Sequence, residues 1–212
     1  SEARIDLSVR RILTLKERLG LLDEGGEALP ATLTEKERLA LEVAPAQAAL
    51  ECITLLKNEN DVLPISNSAN IFVSGPTANS LNALNGGWSG TWQGKNPKYN
   101  NPGRKTAVEA LREEFGAGRI QFEELESMDF TQQAIRRVSS AVRTSRPDVA
   151  VLFLGEMPYT EFMGNIGDLR LADNQLDLVR AVRATGTPVV AVFVEGRPRT
   201  FSQVEPDLDG VV

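Results

Sequence analysis

The runs Val149-Ala150-Val151-Leu152-Phe153-Leu154 and Val189-Val190-Ala191-Val192-Phe193-Val194 decide the fold. Both are apolar throughout and rich in β-branched residues, which is typical of strands buried on both faces, as in parallel sheets. Residues 130–143 and 174–183, which precede the two runs, carry apolar positions at helical spacing. Because strands that alternate with helices build parallel sheets, the pattern predicts the α/β class with an open, mostly parallel sheet.

The same alternation extends outward in both directions. Residues 71–73 and 119–123 are predicted strands, with a predicted helix at residues 106–115 between them. The sequence stops at Val211-Val212, in what looks like another buried strand. We expect a sheet truncated there to leave backbone groups unpaired. We therefore expect the chain to need partner chains, or the rest of its own polypeptide, for stability.

Two further helices are predicted before the first strand. Residues 5–19 have helical apolar spacing, and a second helix runs over residues 34–50, where Thr34 is a plausible N-cap with Glu37 three residues later. Residues 23–30, rich in Gly and Glu, are predicted to be a linker.

Composition excludes several classes of function. Of 212 residues, 25% are charged and the net charge is −6, so nucleic acid and anionic membranes are poor candidates as partners. No apolar run is long enough to span a membrane. There is no histidine, which excludes Ser-His-Asp and Cys-His catalysis within this chain. The single cysteine, Cys52, lies in an apolar stretch and is predicted to be buried. No metal site and no cofactor are indicated, so acid–base chemistry would fall to carboxylates, lysines or tyrosines.

The functional surface is expected at the carboxyl ends of the strands, where open α/β sheets bind ligands. The two longest predicted loops, residues 85–105 and 155–171, leave from that edge. Long loops in compact domains are usually functional. The residues alone therefore predict a site at this edge.

The first loop holds both tryptophans of the chain, Trp88 and Trp92, in the segment Gly86-Gly87-Trp88-Ser89-Gly90-Thr91-Trp92-Gln93-Gly94. An indole presents an apolar face that can stack on a sugar ring and one N–H donor. The glycines would let the backbone approach a ligand closely. The alternative is that one tryptophan fills the core beneath the loop.

The second loop carries three carboxylates, Glu156, Glu161 and Asp168. A carboxyl among aromatic and apolar neighbours is suited to act as a general acid near neutral pH, and Glu161, followed by Phe162, is the better candidate. Glu156 follows the strand directly and is expected to accept hydrogen bonds from loop backbone N–H groups. Asp168 is expected to hold the shape of the loop.

Arg197 follows the strand at residues 189–194. It could bind a carboxylate or phosphate in bidentate fashion. The favoured interpretation is an ion pair with Glu156 or Asp168 that braces the two loops.

Taken together, these segments resemble glycoside hydrolase family 3, of the β-glucosidase type, along the whole chain. The likeness rests on the joint order of these motifs: Val9 to Lys16, Ile53 to Glu59, Leu63-Pro64-Ile65, Val73 to Asn79, the Gly86 to Gly94 segment, Gly155-Glu156 with Pro158-Tyr159 and Glu161, Gln175, Ala184 to Val190, and Glu195 to Arg199.

The resemblance implies an architecture. Residues 1–22 would be the last helix of a (β/α)₈ barrel domain whose remainder is absent, residues 23–34 a linker, and residues 35–212 an (α/β)₆ sandwich domain truncated at its C-terminus. In the family the nucleophilic aspartate lies on the barrel. The missing barrel domain of the same enzyme would therefore be the partner, and the isolated chain is expected to be inactive.

The resemblance also implies roles. Glu161 would be the general acid/base of a retaining β-glycosidase that removes terminal β-glucosyl residues from a β-linked glucoside or oligosaccharide. Trp92 would wall the leaving-group subsite with Trp88 nearby, and Glu156, Asp168 and Arg197 would support the loop. Many relatives are secreted or periplasmic. Two other interpretations stay open: a non-catalytic sugar-binding module and a flavodoxin-like ligand-binding domain.

Overall fold

The computed structural model describes residues 1–22 and 32–212. These residues form two compact units, Ser1–Ile53 and Thr54–Val212, and each is described by itself. Most of the predicted linker, residues 23–31, lies outside the described residues.

The first unit contains two helices, α1 (Glu2–Arg18) and α2 (Glu35–Cys52). Helix α2 begins as predicted, because the Thr34 side chain accepts from the N–H of Glu37 while the Glu37 carboxylate accepts from the N–H of Thr34. No residue of α1 is buried, and the described side chains of α2 are all exposed. Cys52 is therefore exposed, and the prediction of a buried cysteine was wrong.

The second unit is a six-stranded sheet with three helices. In chain order its elements are β1 (Lys57–Asn58), β2 (Ile71–Ser74), α3 (Ala107–Phe115), β3 (Ile120–Phe122), α4 (Gln132–Ser145), β4 (Val149–Gly155), α5 (Asp173–Arg183), β5 (Val189–Val194) and β6 (Gly210–Val211). The strand order is β1-β6-β5-β4-β2-β3, and every pairing is parallel except that of β1 with β6. The predicted α/β class with a mostly parallel sheet is confirmed.

The central strand β4 has apolar side chains on both faces because both faces are covered. Ala150, Leu152 and Leu154 join a core cluster with the buried sides of α4 and α5. Val149, Val151 and Phe153 join a second cluster with Val108 of α3, against which Val62, Leu63 and Ile65 pack. Successive side chains of a strand point to opposite faces, so an uninterrupted apolar run is what a three-layer arrangement requires.

Strand β6 is paired on both sides. Its neighbours are β5 and the short antiparallel β1, where Lys57 lies opposite Val211. The expectation of unpaired backbone groups at this strand was wrong, because residues 57–58 form an antiparallel strand that pairs with it. Within the described ranges, no helix has the length and apolarity that crossing a membrane requires.

Candidate active site

The loops that follow β2, β4 and β5 leave one edge of the sheet, because these strands are parallel neighbours. Ser74 lies beside Leu152 in the sheet, and Gly155 lies beside Val194. The tryptophan loop (residues 85–105) follows β2, and the acidic loop (residues 155–171) follows β4 directly. Both loops predicted from the sequence therefore meet at the carboxyl edge.

The acidic loop starts with a sharp change of direction at Gly155, whose φ is +131°. A Cβ at this position would collide with the carbonyl oxygen of Val194, so only glycine allows the two backbones to run this close. The next N–H, that of Glu156, donates to the same Val194 carbonyl at 3.1 Å. The loop is thus tied to the end of β5 from its first residue.

The tryptophan loop presents both indoles on the surface. Trp88 is 66% exposed and Trp92 is 41% exposed. The N–H of Trp88 donates to the carbonyl oxygen of Trp92 at 3.0 Å, which closes a tight turn between them. Neither tryptophan is buried, so the alternative in which one of them fills the core does not hold.

Glu161 lies on a short 3₁₀ turn, Glu161–Gly164, with its side chain exposed. Its φ is 51°, a left-handed conformation that non-glycine residues adopt only when their surroundings hold them there. Phe162 beside it is 62% exposed, and Met163 and Ile166 are exposed as well. Three exposed apolar side chains, those of Phe162, Met163 and Ile166, thus follow Glu161 along the loop.

The two loops hold each other on both sides of Glu161. The Gln93 carboxamide accepts from the N–H of Thr160 at 3.0 Å and donates to its hydroxyl at 2.8 Å. The Thr160 hydroxyl in turn donates to the carbonyl oxygen of Trp92 at 3.0 Å. On the other side, the Trp92 and Phe162 rings lie 5.5 Å apart between centroids. The structure thus brings together the two residues predicted to carry the chemistry, Glu161 and Trp92.

Glu156 binds arginines rather than loop N–H groups, so that expectation was wrong. Its carboxylate accepts from Arg199 Nε at 2.9 Å and Nη2 at 2.6 Å, and Arg197 Nε lies 3.4 Å away. Arg197 itself lies over the Tyr159 ring at 3.8 Å from the centroid. Burial raises the pKa of Glu156, but hydrogen bonds from Tyr159 and Arg199 and both positive charges outweigh it, so the pKa lies below its ordinary value.

Asp168 lies at the far end of the acidic loop and is exposed. It accepts from the backbone N–H and Nε of Arg170, at 2.9 and 2.6 Å. These hydrogen bonds, the backbone one first, lower the pKa of Asp168. Arg199 Nη1 also donates to the backbone carbonyls of Asp168 and Arg170, at 3.3 Å each. Arg199 therefore joins both ends of the acidic loop to the segment after β5.

Glu195 is a half-buried carboxyl that sequence reasoning did not single out. Its Oε1 accepts from the N–H of Arg199 at 3.0 Å, whereas its Oε2 is buried without a hydrogen-bond partner. Burial, aided by the charge of Glu156, raises the pKa of Glu195. Glu195 and Glu156 both line a cleft of about 450 Å³ under the two loops, which is completed by residues 83–87, Pro158, Tyr159, Val194 and Gly196. Glu161, Trp88 and Trp92 do not line this cleft.

No group of three potential metal ligands among His, Cys, Asp and Glu occurs in the part of the chain that the structure describes. The edge is instead built from carboxylates, guanidinium groups and aromatic rings. Such a set suits proton transfer and the stacking of an apolar ring face.

Residues 53–212 match the Glycosyl hydrolase family 3 C-terminal domain. The chain belongs to glycoside hydrolase family 3. The match begins at Ile53, the last residue of the first compact unit, and covers the whole sheet and both loops, which confirms the family proposed from the sequence motifs.

Similarity to known glycosidases extends over nearly the whole chain. A lysosomal β-glucosidase of Dictyostelium discoideum is 36% identical over 98% of this chain, and a β-xylosidase of Formosa agariphila is 29% identical over 98%. The structure of a Listeria innocua β-glucosidase in complex with isofagomine superposes with a TM-score of 0.78 at 29% identity over all of this chain. The chain spans 26%, 29% and 28% of these three proteins.

Three residues of the site were missed as contacts from the sequence alone. Gln93 occurs in the sequence motifs without a predicted role, Thr160 was not predicted at all, and Arg197 rather than Arg199 was predicted to pair with the loop carboxylates. The sequence feature that could have indicated Gln93 and Thr160 is their position, because Gln93 follows Trp92 and Thr160 precedes Glu161. That their side chains meet depends on how two loops fold against each other, which sequence spacing does not encode.

Proposed function

We propose that this chain supplies the acid/base half of the active site of a retaining β-glycosidase acting on β-linked glucosides or oligosaccharides. Glu161 is the general acid/base, and Trp92, with Trp88 nearby, forms the platform for the leaving group. The observation that carries the proposal is that Glu161 is exposed and that the residues on either side of it, Thr160 and Phe162, both contact Trp92.

The chemistry follows from two carboxyl groups. Retaining glycosidases place a nucleophile and an acid/base about 5–5.5 Å apart across the scissile bond. Glu161 protonates the departing glycosidic oxygen, and its carboxylate then takes a proton from the water that attacks the glycosyl-enzyme intermediate. The nucleophile comes from a barrel domain of the same enzyme. An exposed acid/base is consistent with a site completed by another domain.

The same proposal extends to the domain organisation. Residues 1–22 are the last helix of the barrel domain, residues 23–34 the linker and residues 35–212 the sandwich domain. Support comes from α1, whose apolar side chains Ile5, Ile12 and Leu15 are each more than half exposed, as expected of a helix that packs on a further domain.

The sugar is assigned as glucose because a lysosomal β-glucosidase is among the more similar relatives. A β-xylosidase at 29% identity makes xylosides the first alternative substrates to assay. A non-catalytic sugar-binding module would keep the tryptophan platform but would have no use for a proton donor at residue 161.

The test compares Glu161→Gln with the parent in the complete polypeptide, using aryl β-glucosides with a poor (phenyl) and an activated (2,4-dinitrophenyl) leaving group. Since general acid–base catalysis contributes about 10²–10⁴-fold, kcat/KM for the phenyl glucoside should fall by that order, and much less for the activated one. Added azide, which attacks without base assistance, should accelerate the variant on the activated substrate. Glu114→Gln, an exposed glutamate of α3, is the matched control.

Equal activity of Glu161→Gln and the parent on both substrates would remove Glu161 from the chemistry and make Glu156 or Asp168 the next carboxylates to test. Binding of a glucoside with no hydrolysis by the complete polypeptide would favour the binding module. Early product of inverted anomeric configuration, seen by NMR, would exclude the retaining mechanism.

A further inference from the structure

The two residues beside Glu161 make the contacts that join its turn to the tryptophan loop. Its φ of 51° is a conformation that an L-residue adopts at an energetic cost, so some other contact must fix the turn. The contacts described above fall on Thr160 and Phe162, the residues directly before and after it. Each of these contacts runs to the tryptophan loop.

The Gln93–Thr160 pairing is specific in its chemistry. The carboxamide of Gln93 offers its oxygen to the Thr160 N–H and its nitrogen to the Thr160 hydroxyl, with a longer approach of 3.4 Å to the Thr160 carbonyl. A side chain with both a donor and an acceptor is needed to satisfy this arrangement. The Thr160 hydroxyl in turn donates a hydrogen bond to the carbonyl oxygen of Trp92, so the residue that bears the platform ring is part of the same network.

Close packing adds to the pairing. A Cβ at Gly87 would collide with Cγ2 of Thr160 and would lie 2.7 Å from the carbonyl oxygen of Tyr159. The backbone of the tryptophan loop therefore runs directly against the residue before Glu161. A displacement of either loop would carry both the platform ring and the carboxylate with it.

We propose that Gln93 and Thr160 are positioning residues that lock the Glu161 carboxylate and the Trp92 platform into one unit, so that the acid is aligned with the leaving group that the platform holds. This inference rests on the proposed function of Glu161. Neither residue touches the reacting atoms; both act through the orientation of Glu161. Misplacing a catalytic group by a fraction of an ångström to one ångström is enough to lower the rate strongly.

The catalytic arm of the test uses the complete polypeptide with Gln93→Ala, Thr160→Val and Thr160→Ser, assayed beside Glu161→Gln on the phenyl and 2,4-dinitrophenyl glucosides. Gln93→Ala and Thr160→Val should lower kcat on the phenyl glucoside by about 10–100-fold with a smaller change in KM, and should lower kcat/KM less on the activated glucoside, whose leaving group needs little proton donation. Thr160→Ser keeps the hydroxyl and should stay within about threefold of the parent. Gln133→Ala, an exposed glutamine of α4, is the control.

The structural arm measures amide hydrogen exchange over residues 158–164 in the same protein. Because Gln93 accepts the Thr160 N–H, Gln93→Ala should speed exchange at Thr160, and Gln133→Ala should not. This readout does not depend on activity. Unchanged exchange at Thr160 in Gln93→Ala would overturn the proposal at its first step.

The remaining outcomes separate the two ideas. If the loss of activity in Glu161→Gln depends on the leaving group and that in Gln93→Ala does not, the positioning role is overturned and the proposed function stands. A loss in Thr160→Ser with parental activity in Thr160→Val, which keeps the methyl group, would assign the effect to that methyl group and overturn the hydrogen-bonded lock. A Glu161→Gln variant with no dependence on the leaving group would overturn the proposed function, and the positioning role with it.

Discussion

The carboxamide of Gln175 on α5 pairs with both backbone groups of Gly155, accepting from its N–H and donating to its carbonyl oxygen at 2.9 Å each. Gln175 is 1% exposed, so the pair is sealed from water. A buried backbone group without a partner costs free energy, and Gly155 is where β4 ends and the acidic loop begins. The helix side chain thus supplies the hydrogen bonds that the sheet stops providing at this point.

Replacing Gln175 with alanine should lower the free energy of unfolding by about 2–4 kcal/mol, because it leaves two buried backbone groups unpaired and opens a cavity. Gln133→Ala, on the exposed face of α4, should change it by less than about 0.5 kcal/mol. Urea unfolding followed by circular dichroism measures both. Similar values for the two variants would mean that water replaces the amide at Gly155.

Adding a methyl group at Gly87 should disturb the contact with Thr160. Gly87→Ala should cost about 1–3 kcal/mol, because its Cβ meets Cγ2 of Thr160 and the Tyr159 carbonyl. The double variant Gly87→Ala with Thr160→Ser removes Cγ2 and should recover part of the loss, whereas the backbone contact prevents full recovery. A double-mutant cycle on urea midpoints measures the coupling. Strict additivity would show that the two residues do not touch.

Glu195 should destabilise the fold increasingly as pH rises. Its pKa in the folded state lies above the unfolded value of about 4.3, so the folded state holds more protons than the unfolded state between those two pKa values. Stability therefore falls as pH rises through this window, and the loss persists at pH 7. Glu195→Gln, which keeps an oxygen for the Arg199 N–H, should gain stability relative to the parent between pH 4 and pH 7. A parallel pH dependence of the urea midpoints in parent and variant would contradict this.

Glu156 should behave in the opposite way. Its pKa in the folded state is depressed, so its contribution is complete above the unfolded pKa of about 4.3 and is lost as pH falls through the folded pKa below that value. The carboxylate is 11% exposed and pairs with two arginines, so Glu156→Gln should cost about 2–3 kcal/mol at pH 7. The difference from the parent should shrink near pH 3. A penalty of the same size at both pH values would indicate lost packing rather than lost charge.

The strands could be predicted from the sequence where burial on both faces requires an uninterrupted run of apolar residues. The runs at residues 149–154 and 189–194 are apolar throughout because both of their faces are covered, and such runs can be recognised in the sequence alone. The helix starts at Thr34 and Thr106 can also be recognised locally, since each capping box spans only four residues.

What could not be predicted depends on contacts between distant segments. The pairing of β1 with β6 joins residues 57–58 to residues 210–211, and nothing in two polar residues indicates a strand. Arg199 rather than Arg197 makes the shorter hydrogen bonds to the Glu156 carboxylate. The turn after β5 determines which guanidinium group reaches the carboxylate. The lock between Gln93 and Thr160 likewise depends on how two loops pack.

The two-faced apolarity of β4 has a consequence for misfolding. In most strands a slip of one residue moves apolar side chains into water, and this penalty fixes the alignment with neighbouring strands. Here a slip would only exchange Val149, Val151 and Phe153 with Ala150, Leu152 and Leu154, so hydrophobicity alone discriminates poorly between the two alignments. The carboxamide of Gln175 makes two hydrogen bonds to one backbone position, Gly155. It therefore favours a single alignment of β4 over alternative alignments that would bury nearly the same apolar surface.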